Sequence, residues 1–162
     1  ASIIFASGGR DYVFGTSGNE TVILSEGFDY VSTGRGIDTV VLSSDMNYEQ
    51  MSRDEMDSLL GTFLSRSDAD SVLSGFYPSS GETHALAGFV ADMNLGVDRL
   101  VLQGFQGSYD LREVVDGRDS GGIHLVSVST ADSSGEYVSV LMDITQSGLS
   151  FDEFNTQFIN KA

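Results

Sequence analysis

Valine stands at positions 13, 22, 31 and 40, and each copy closes the same phrase: Gly9-x-Asp11-x-Val13, Gly18-x-Glu20-x-Val22, Gly27-x-Asp29-x-Val31 and Gly36-x-Asp38-x-Val40, at a strict period of nine residues. A helix does not repeat at that period and a hairpin needs no fixed one, whereas short fixed periods mark solenoids whose repeats stack on their neighbours. An aliphatic residue two places after an acid suits a very short strand and points inward. The four valines therefore predict the inner file of a flattened coil. With one turn and one strand per repeat, two repeats complete a coil. Repeats one and three then lie on one side, two and four on the other, and strands stacked at about 4.8 Å set Asp11 beside Asp29 and Glu20 beside Asp38. Facing outward are Thr21, Ile23, Thr39 and Val41 on one side, and Tyr12, Phe14 and Tyr30 on the other. Such apolar surface is expected to be covered, on at least one face, by the rest of a single domain spanning 1–162.

After Asp45 the pattern changes. Met56, Leu59, Leu60, Phe63 and Leu64 follow a helical stripe, and Ser52 with Glu55 forms a capping box at its start. The spacing predicts one helix near 53–65, then a loop around Pro78. The stretch 84–105 reads as strand, turn, strand, and Gly96-x-Asp98-x-Leu100 repeats the opening phrase out of frame. IHLVSVST and EYVSVLMDI alternate with period two about a turn at 131–135, a hairpin with a polar outer face. Near the end, Ser150 and Glu153 form another capping box, with Phe151, Phe154 and Phe158 on one helix face.

Charge narrows the chemistry. Twenty-four acids face eight bases, a net charge of −16. Such a surface repels nucleic acid, whose binding depends on Lys and Arg neutralising phosphates, and it attracts cations. Cysteine is absent, which excludes disulfides and thiolate metal sites. No apolar run reaches the length of a membrane span. Two carboxylates about 5 Å apart repel by roughly 3 kcal/mol at an effective dielectric near 20. A hard divalent cation turns that repulsion into attraction. Ca²⁺, which takes six to eight oxygens in a flexible shell, suits such pairs better than Mg²⁺ with its tight octahedron.

The stretch 6–43 resembles the hemolysin-type calcium-binding (RTX) repeat, G-G-x-G-x-D-x-U-x with U a large aliphatic residue. Aligned on it, the copies are Ala6–Phe14, Gly15–Ile23, Leu24–Ser32 and Thr33–Val41. The fourth-position glycine, sixth-position acid and eighth-position aliphatic are kept, with Glu20 replacing one aspartate. The first two positions depart: Ala6-Ser7, Gly15-Thr16, Leu24-Ser25 and Thr33-Gly34 stand where the family has Gly-Gly. The resemblance implies Ca²⁺ held by Asp11, Glu20, Asp29 and Asp38 with the loops of Gly9, Gly18, Gly27 and Gly36. It further implies a site completed by Asp98 together with Asp92.

The fold so expected is mainly β: a right-handed parallel β-roll (6–43), a helical excursion with one inserted helix (46–83), capping strands and a hairpin (84–145), and a short C-terminal helix (146–162). The same resemblance implies a non-catalytic, calcium-dependent module of a larger secreted or cell-surface bacterial protein, an adhesin or exoenzyme, meeting a polysaccharide or cell surface through that parent. Its last residues would be read by type I secretion machinery. A rival reading is a carbohydrate-binding accessory module, since the R-modules of alginate epimerases also resemble this layout; an aromatic stripe on the coil, begun by Tyr12 and Tyr30, would favour it. Enzyme readings fare worse. Asp119-Ser-Gly-Gly122 is similar to a serine-protease phrase but lacks a matching histidine signature, and His84 and His124 lack metal-ligand spacing. An EF-hand is excluded by the missing glutamate ligand.

Overall fold

A computed structural model describes residues 2–6, 8–94, 97–131, 134–147 and 159–161. The chain opens with five short strands, β1 (Ser2–Phe5), β2 (Asp11–Phe14), β3 (Glu20–Ile23), β4 (Asp29–Ser32) and β5 (Thr39–Ser43). They alternate between two sheets. β1, β3 and β5 pair in parallel in one sheet and β2 with β4 in the other, with Asp11 opposite Asp29 and Val22 opposite Val40. Val13, Val22, Val31 and Val40 meet in one buried core between the sheets, as the nine-residue period predicts. β1 had no counterpart in the expected coil. Ile4, nine residues before Val13, packs against the same core and extends the inner file by one strand.

A short strand β6 (Gln50–Met51) then leads into α1 (Arg53–Leu60) and α2 (Arg66–Phe76), and the chain returns through β7 (His84–Val90) and β8 (Arg99–Gln103). β8 pairs with β5, and β7 with β4, so the returning strands add one layer to each sheet. The remaining strands are β9 (Asp110–Asp116), β10 (His124–Ala131), β11 (Tyr137–Asp143) and β12 (Ile159–Lys161). The finished sheets run β1-β3-β5-β8-β12 and β2-β4-β7-β11-β10-β9, with β6 pairing β7. The protein is mainly β.

The helical region departs from expectation. The Ser52–Glu55 capping box forms, but α1 stops at Gly61, and a second helix follows where a loop was expected. Ser65 caps α2 through the Asp68 amide, and Ala69, Val72, Leu73 and Phe76 bury one stripe. Those four positions carry helical spacing, obscured by serine, aspartate and glycine between them, all weak helix formers. Phe63 of the intervening turn stacks at 4.6 Å on Phe89 and at 5.5 Å on Phe28, fixing both helices on the outer face of the seven-stranded sheet. A second core forms there, with Met56, Leu60 and Leu73 against Leu86, Leu125 and Leu141.

The 131–135 hairpin is present as β10 and β11. Its polar face is only partly solvated: Ser127 and Ser139 lie buried, beside the leucines that the helices cover, whereas Ser129 is half-buried and Tyr137 exposed. The Asp119–Gly122 phrase is a turn before β10, with 3₁₀ geometry at Arg118–Ser120. The expected terminal helix, with Ser150, Phe151, Glu153, Phe154 and Phe158, lies largely outside the described residues. Residues 145–147 form a 3₁₀ turn, and 159–161 form a strand paired in parallel with β8 rather than helix. Among the described residues no helix is long and apolar enough to cross a membrane.

Candidate metal centre

The acids of the repeat stand at the turn-to-strand junctions of successive layers. On the five-stranded side the row is Glu20, Asp38, Asp98, all buried, bound one to the next through backbone. Asp38 Oδ1 accepts the Glu20 N–H at 2.8 Å, and Asp98 Oδ1 accepts the Asp38 N–H at 2.9 Å. On the other side Asp11 faces Asp29, and the next position in register is Gly88.

A second bond type closes each turn. Glu20 Oε1 accepts the Thr16 N–H at 2.8 Å, Asp29 Oδ2 accepts the Ser25 N–H at 3.2 Å, and Asp98 Oδ2 accepts the Asn94 N–H at 2.9 Å. Each acid thus ties down the amide four residues before it. Asp38 is the exception. The corresponding amide, Gly34 N–H, donates to Asp92 Oδ2 at 3.0 Å instead. Asp92 also accepts from Ser32 Oγ at 2.8 Å, from the Thr33 N–H at 2.8 Å and from the Thr33 hydroxyl at 3.2 Å. Four donors on two oxygens make Asp92 a clamp on the 32–34 turn. Asp38 Oδ2 is left buried without a hydrogen-bond partner, and so is Asp29 Oδ1. An unpaired polar atom in the interior costs about 1–3 kcal/mol, and more when charged, so such atoms point to a missing counter-group.

The electrostatics agree. Burial, then the negative charges of Asp98, Glu20 and Asp92, pushes the Asp38 carboxyl up to about 6. Burial chiefly, with the charge of Asp11 adding, likewise raises Asp29 to about 6. Asp98 is raised by burial. These groups are ionised at neutral pH only at a cost that a cation would offset.

The turns themselves stack closely on one another. Gly27 and Gly36 have φ of 91° and 97°, and a methyl group on either would overlap the carbonyl oxygen of Gly9 or Gly18 one coil earlier. Gly34, at φ 77°, lies equally close to the Thr16 carbonyl oxygen. Such contacts join the turns that precede Glu20 and Asp38, and likewise those that precede Asp11 and Asp29. Gly9 is also left-handed, with open space around it, whereas Gly18 does not adopt positive φ. Its turn is closed by side chains instead: Thr16 Oγ1 accepts the Gly18 N–H and donates to Glu20 Oε2 at 2.9 Å. The longer Glu20 chain reaches back into its own turn, and both its oxygens are engaged. Buried bare oxygens and neighbouring carboxylates make a hard, oxygen-only donor set, the kind that hard divalent cations take. A depression of about 530 Å³ opens beside it, lined by Gly34, Gly36, Asp92, Asn94 and Val97 among others.

Of two further groupings, the first escaped the sequence and the second extends the pair Tyr12 and Tyr30 named above. Ligand atoms of Glu113, Asp116 and His124 lie within 4.8 Å of one another. His124 faces Asp116 across the β9–β10 ladder, and a register shift between Leu125 and Val126 turns Glu113 to the same side. A bulge has no signature in spacing. His124 Nε2 already meets Glu113 Oε2 at 2.7 Å, and Arg118 binds both oxygens of Asp116 at 2.9 Å. Nε2 of His124 is thus engaged within the cluster, whereas its Nδ1 is buried without a hydrogen-bond partner. The second grouping is an aromatic row, Tyr12, Tyr30, Phe89, with rings 5.5 Å apart. Phe63 covers its upper end, so only Tyr12 stands open, at 70% exposure.

Mainly β architecture with acids stacked in successive parallel layers is the class these features define. No protein-family model matches the chain, and no curated protein matches it.

Proposed function

We propose that the chain is a non-catalytic calcium-binding module, a right-handed parallel β-roll of the hemolysin type, within a larger secreted or cell-surface bacterial protein such as an adhesin or exoenzyme. The observation that carries this reading is Asp38, fully buried, with Oδ2 unpartnered and the charges of three other carboxylates acting on it. Asp38 and Asp98, with the carbonyls of Thr16 and Gly18, would hold the ion. Asp29 with Asp11 would form a second, poorer site. Calcium supplies positive charge that lets these carboxylates stay ionised while buried.

The mechanism is linkage. At low free calcium inside a cell the acids repel, and the chain stays loose enough for type I secretion machinery, which would read its last residues. Outside, calcium binds only the folded state and adds RT ln(1 + [Ca²⁺]/Kd), about 2.7 kcal/mol at a hundredfold excess over Kd. Melting curves test this directly. Calcium should raise the melting temperature several degrees beyond equal ionic strength of Na⁺ or Mg²⁺; identical curves in EGTA and in excess Ca²⁺ would remove the calcium reading and leave only the fold.

A further inference from the structure

The outer face of the seven-stranded sheet changes character abruptly. Under the helices it presents Leu86, Leu125 and Leu141, all fully buried. One step along the same strands it presents His84, Ser127, Ser129 and Ser139, and there a cleft of about 600 Å³ opens between α2, β9 and β10. That volume suits a small ligand.

The cleft floor is a polar relay. His84 Nε2 meets Ser139 Oγ at 2.6 Å, and Ser139 Oγ meets Ser129 Oγ, a cleft-lining group, at 2.5 Å. Small hydroxyl residues here make room and offer hydrogen bonds where leucine would have closed the sheet against the helix. Gly75 adds space on the helix side. One wall is apolar and flat: the Phe76 ring stacks on His84 at 4.2 Å, with planes 4° apart. Burial lowers His84 to about 4, so its ring is neutral at physiological pH. Tyr137 stands at the rim, 58% exposed.

The charges define the ligand. Arg112, a lining residue, donates its Nε–H to Asp110 Oδ2 at 2.8 Å, which leaves its terminal N–H groups as the donors for a ligand. Glu113 is engaged by His124 and Asp110 by Arg112, leaving Glu82 as the further acceptor. Three carboxylates against one arginine oppose an anion. Two of the carboxylates are held in hydrogen bonds, to Arg112 and to His124, and the lining keeps a modest negative charge. Hydrogen-bond donors and acceptors beside aromatic side chains match a polyhydroxylated ring with one apolar face, and a cation is the competing ligand that the charged control tests.

We propose that the cleft between α2 and the β9–β10–β11 face binds a neutral saccharide, gripped by Arg112 and Glu82 and stacked on Tyr137. None of the stacked acids lines this site, and the proposal is independent of the calcium reading. Saturation-transfer NMR on the full chain in excess calcium, with maltotriose, cellotriose and triacetylchitotriose as probes and trilysine as the charged control, tests it. At least one trisaccharide should receive saturation, and Arg112→Ala and Tyr137→Ala, both exposed positions, should each weaken its binding about tenfold with unchanged melting temperature. Tyr12→Ala, an equally open aromatic on the coil, should leave binding intact. No transfer to any trisaccharide, transfer undiminished in both cleft variants, or preferential binding of trilysine would each overturn the proposal.

Discussion

On the side of β2 and β4 the row of acids runs Asp11, Asp29 and stops at Gly88, whereas on the side of β3, β5 and β8 it runs Glu20, Asp38, Asp98. Gly88 cannot be replaced by an acid without disturbance, because even a Cβ would sit 3.1 Å from the Asp29 carbonyl oxygen and 3.2 Å from the Leu24 methyls. That layer is given over to close packing. The Asp98 layer instead continues the carboxylate row, and its neighbour Asp92 takes over the Gly34 amide that would otherwise have satisfied Asp38. The two sides of the array therefore differ in what is stacked on them. Each keeps one bare carboxylate oxygen, Asp29 Oδ1 or Asp38 Oδ2, but only on the Asp38 side does the next layer add another acid.

The largest effect expected on this comparison comes from the glycines that let the turns stack. Gly27→Ala and Gly36→Ala combine positive φ with overlap on the carbonyl of the preceding coil, while Gly9→Ala carries the conformational cost alone. The left-handed conformation costs roughly 1–2 kcal/mol for a residue with a Cβ, so Gly9→Ala should lose about that much and the other two about 3 kcal/mol or more. Urea unfolding in excess calcium measures it. Equal losses at all three positions would mean that the turns do not stack as described.

Much of this was legible in the nine-residue period, because a strict short period writes the inner file, the turns and the strand register into spacing. Val13 to Val40 fell into two sheets, and Asp11 and Glu20 met their partners, by that logic alone. Elsewhere the information is not periodic. α2 is written in weak helix formers, so its buried stripe governs the fold only once there is a sheet to cover. β9 buries little on either face and carries charges along its length, which hides a strand. The Asp92 clamp joins residues 58 to 60 positions apart. Nothing in DMNLG announces that both oxygens close a distant turn, and a reading of Asp92 as a metal ligand follows naturally from its type.

A smaller effect lies in pH. In calcium-free protein Asp29 and Asp38 titrate near 6, above the ordinary value of 3.8, so the folded state holds more protons than the unfolded one between those limits. Their contribution is fully present below about 4, is lost as pH rises to about 6, and stays lost above it. His84 runs the other way, losing stability as pH falls from 6.5 towards 4. The carboxyl part is therefore read as a difference between proteins. In EGTA at pH 7, Asp29→Asn and Asp38→Asn should both be more stable than the parent, and at pH 4 the advantage should vanish. An advantage that persists or grows at pH 4 would show that neither carboxyl is held protonated by the fold. In calcium the two variants should part, with Asp38→Asn losing more of the added stability.

The central claim is that calcium belongs chiefly to the side that Asp98 and Asp92 complete. Calorimetric titration of Ca²⁺ into Asp38→Ala and Asp11→Ala, beside the parent protein at neutral pH, tests it most directly. The account predicts that Asp38→Ala weakens the tightest site about tenfold or more, the loss of one charged ligand, while Asp11→Ala leaves that site nearly unchanged. A larger loss from Asp11→Ala, or parent protein that takes up no calcium, would contradict it.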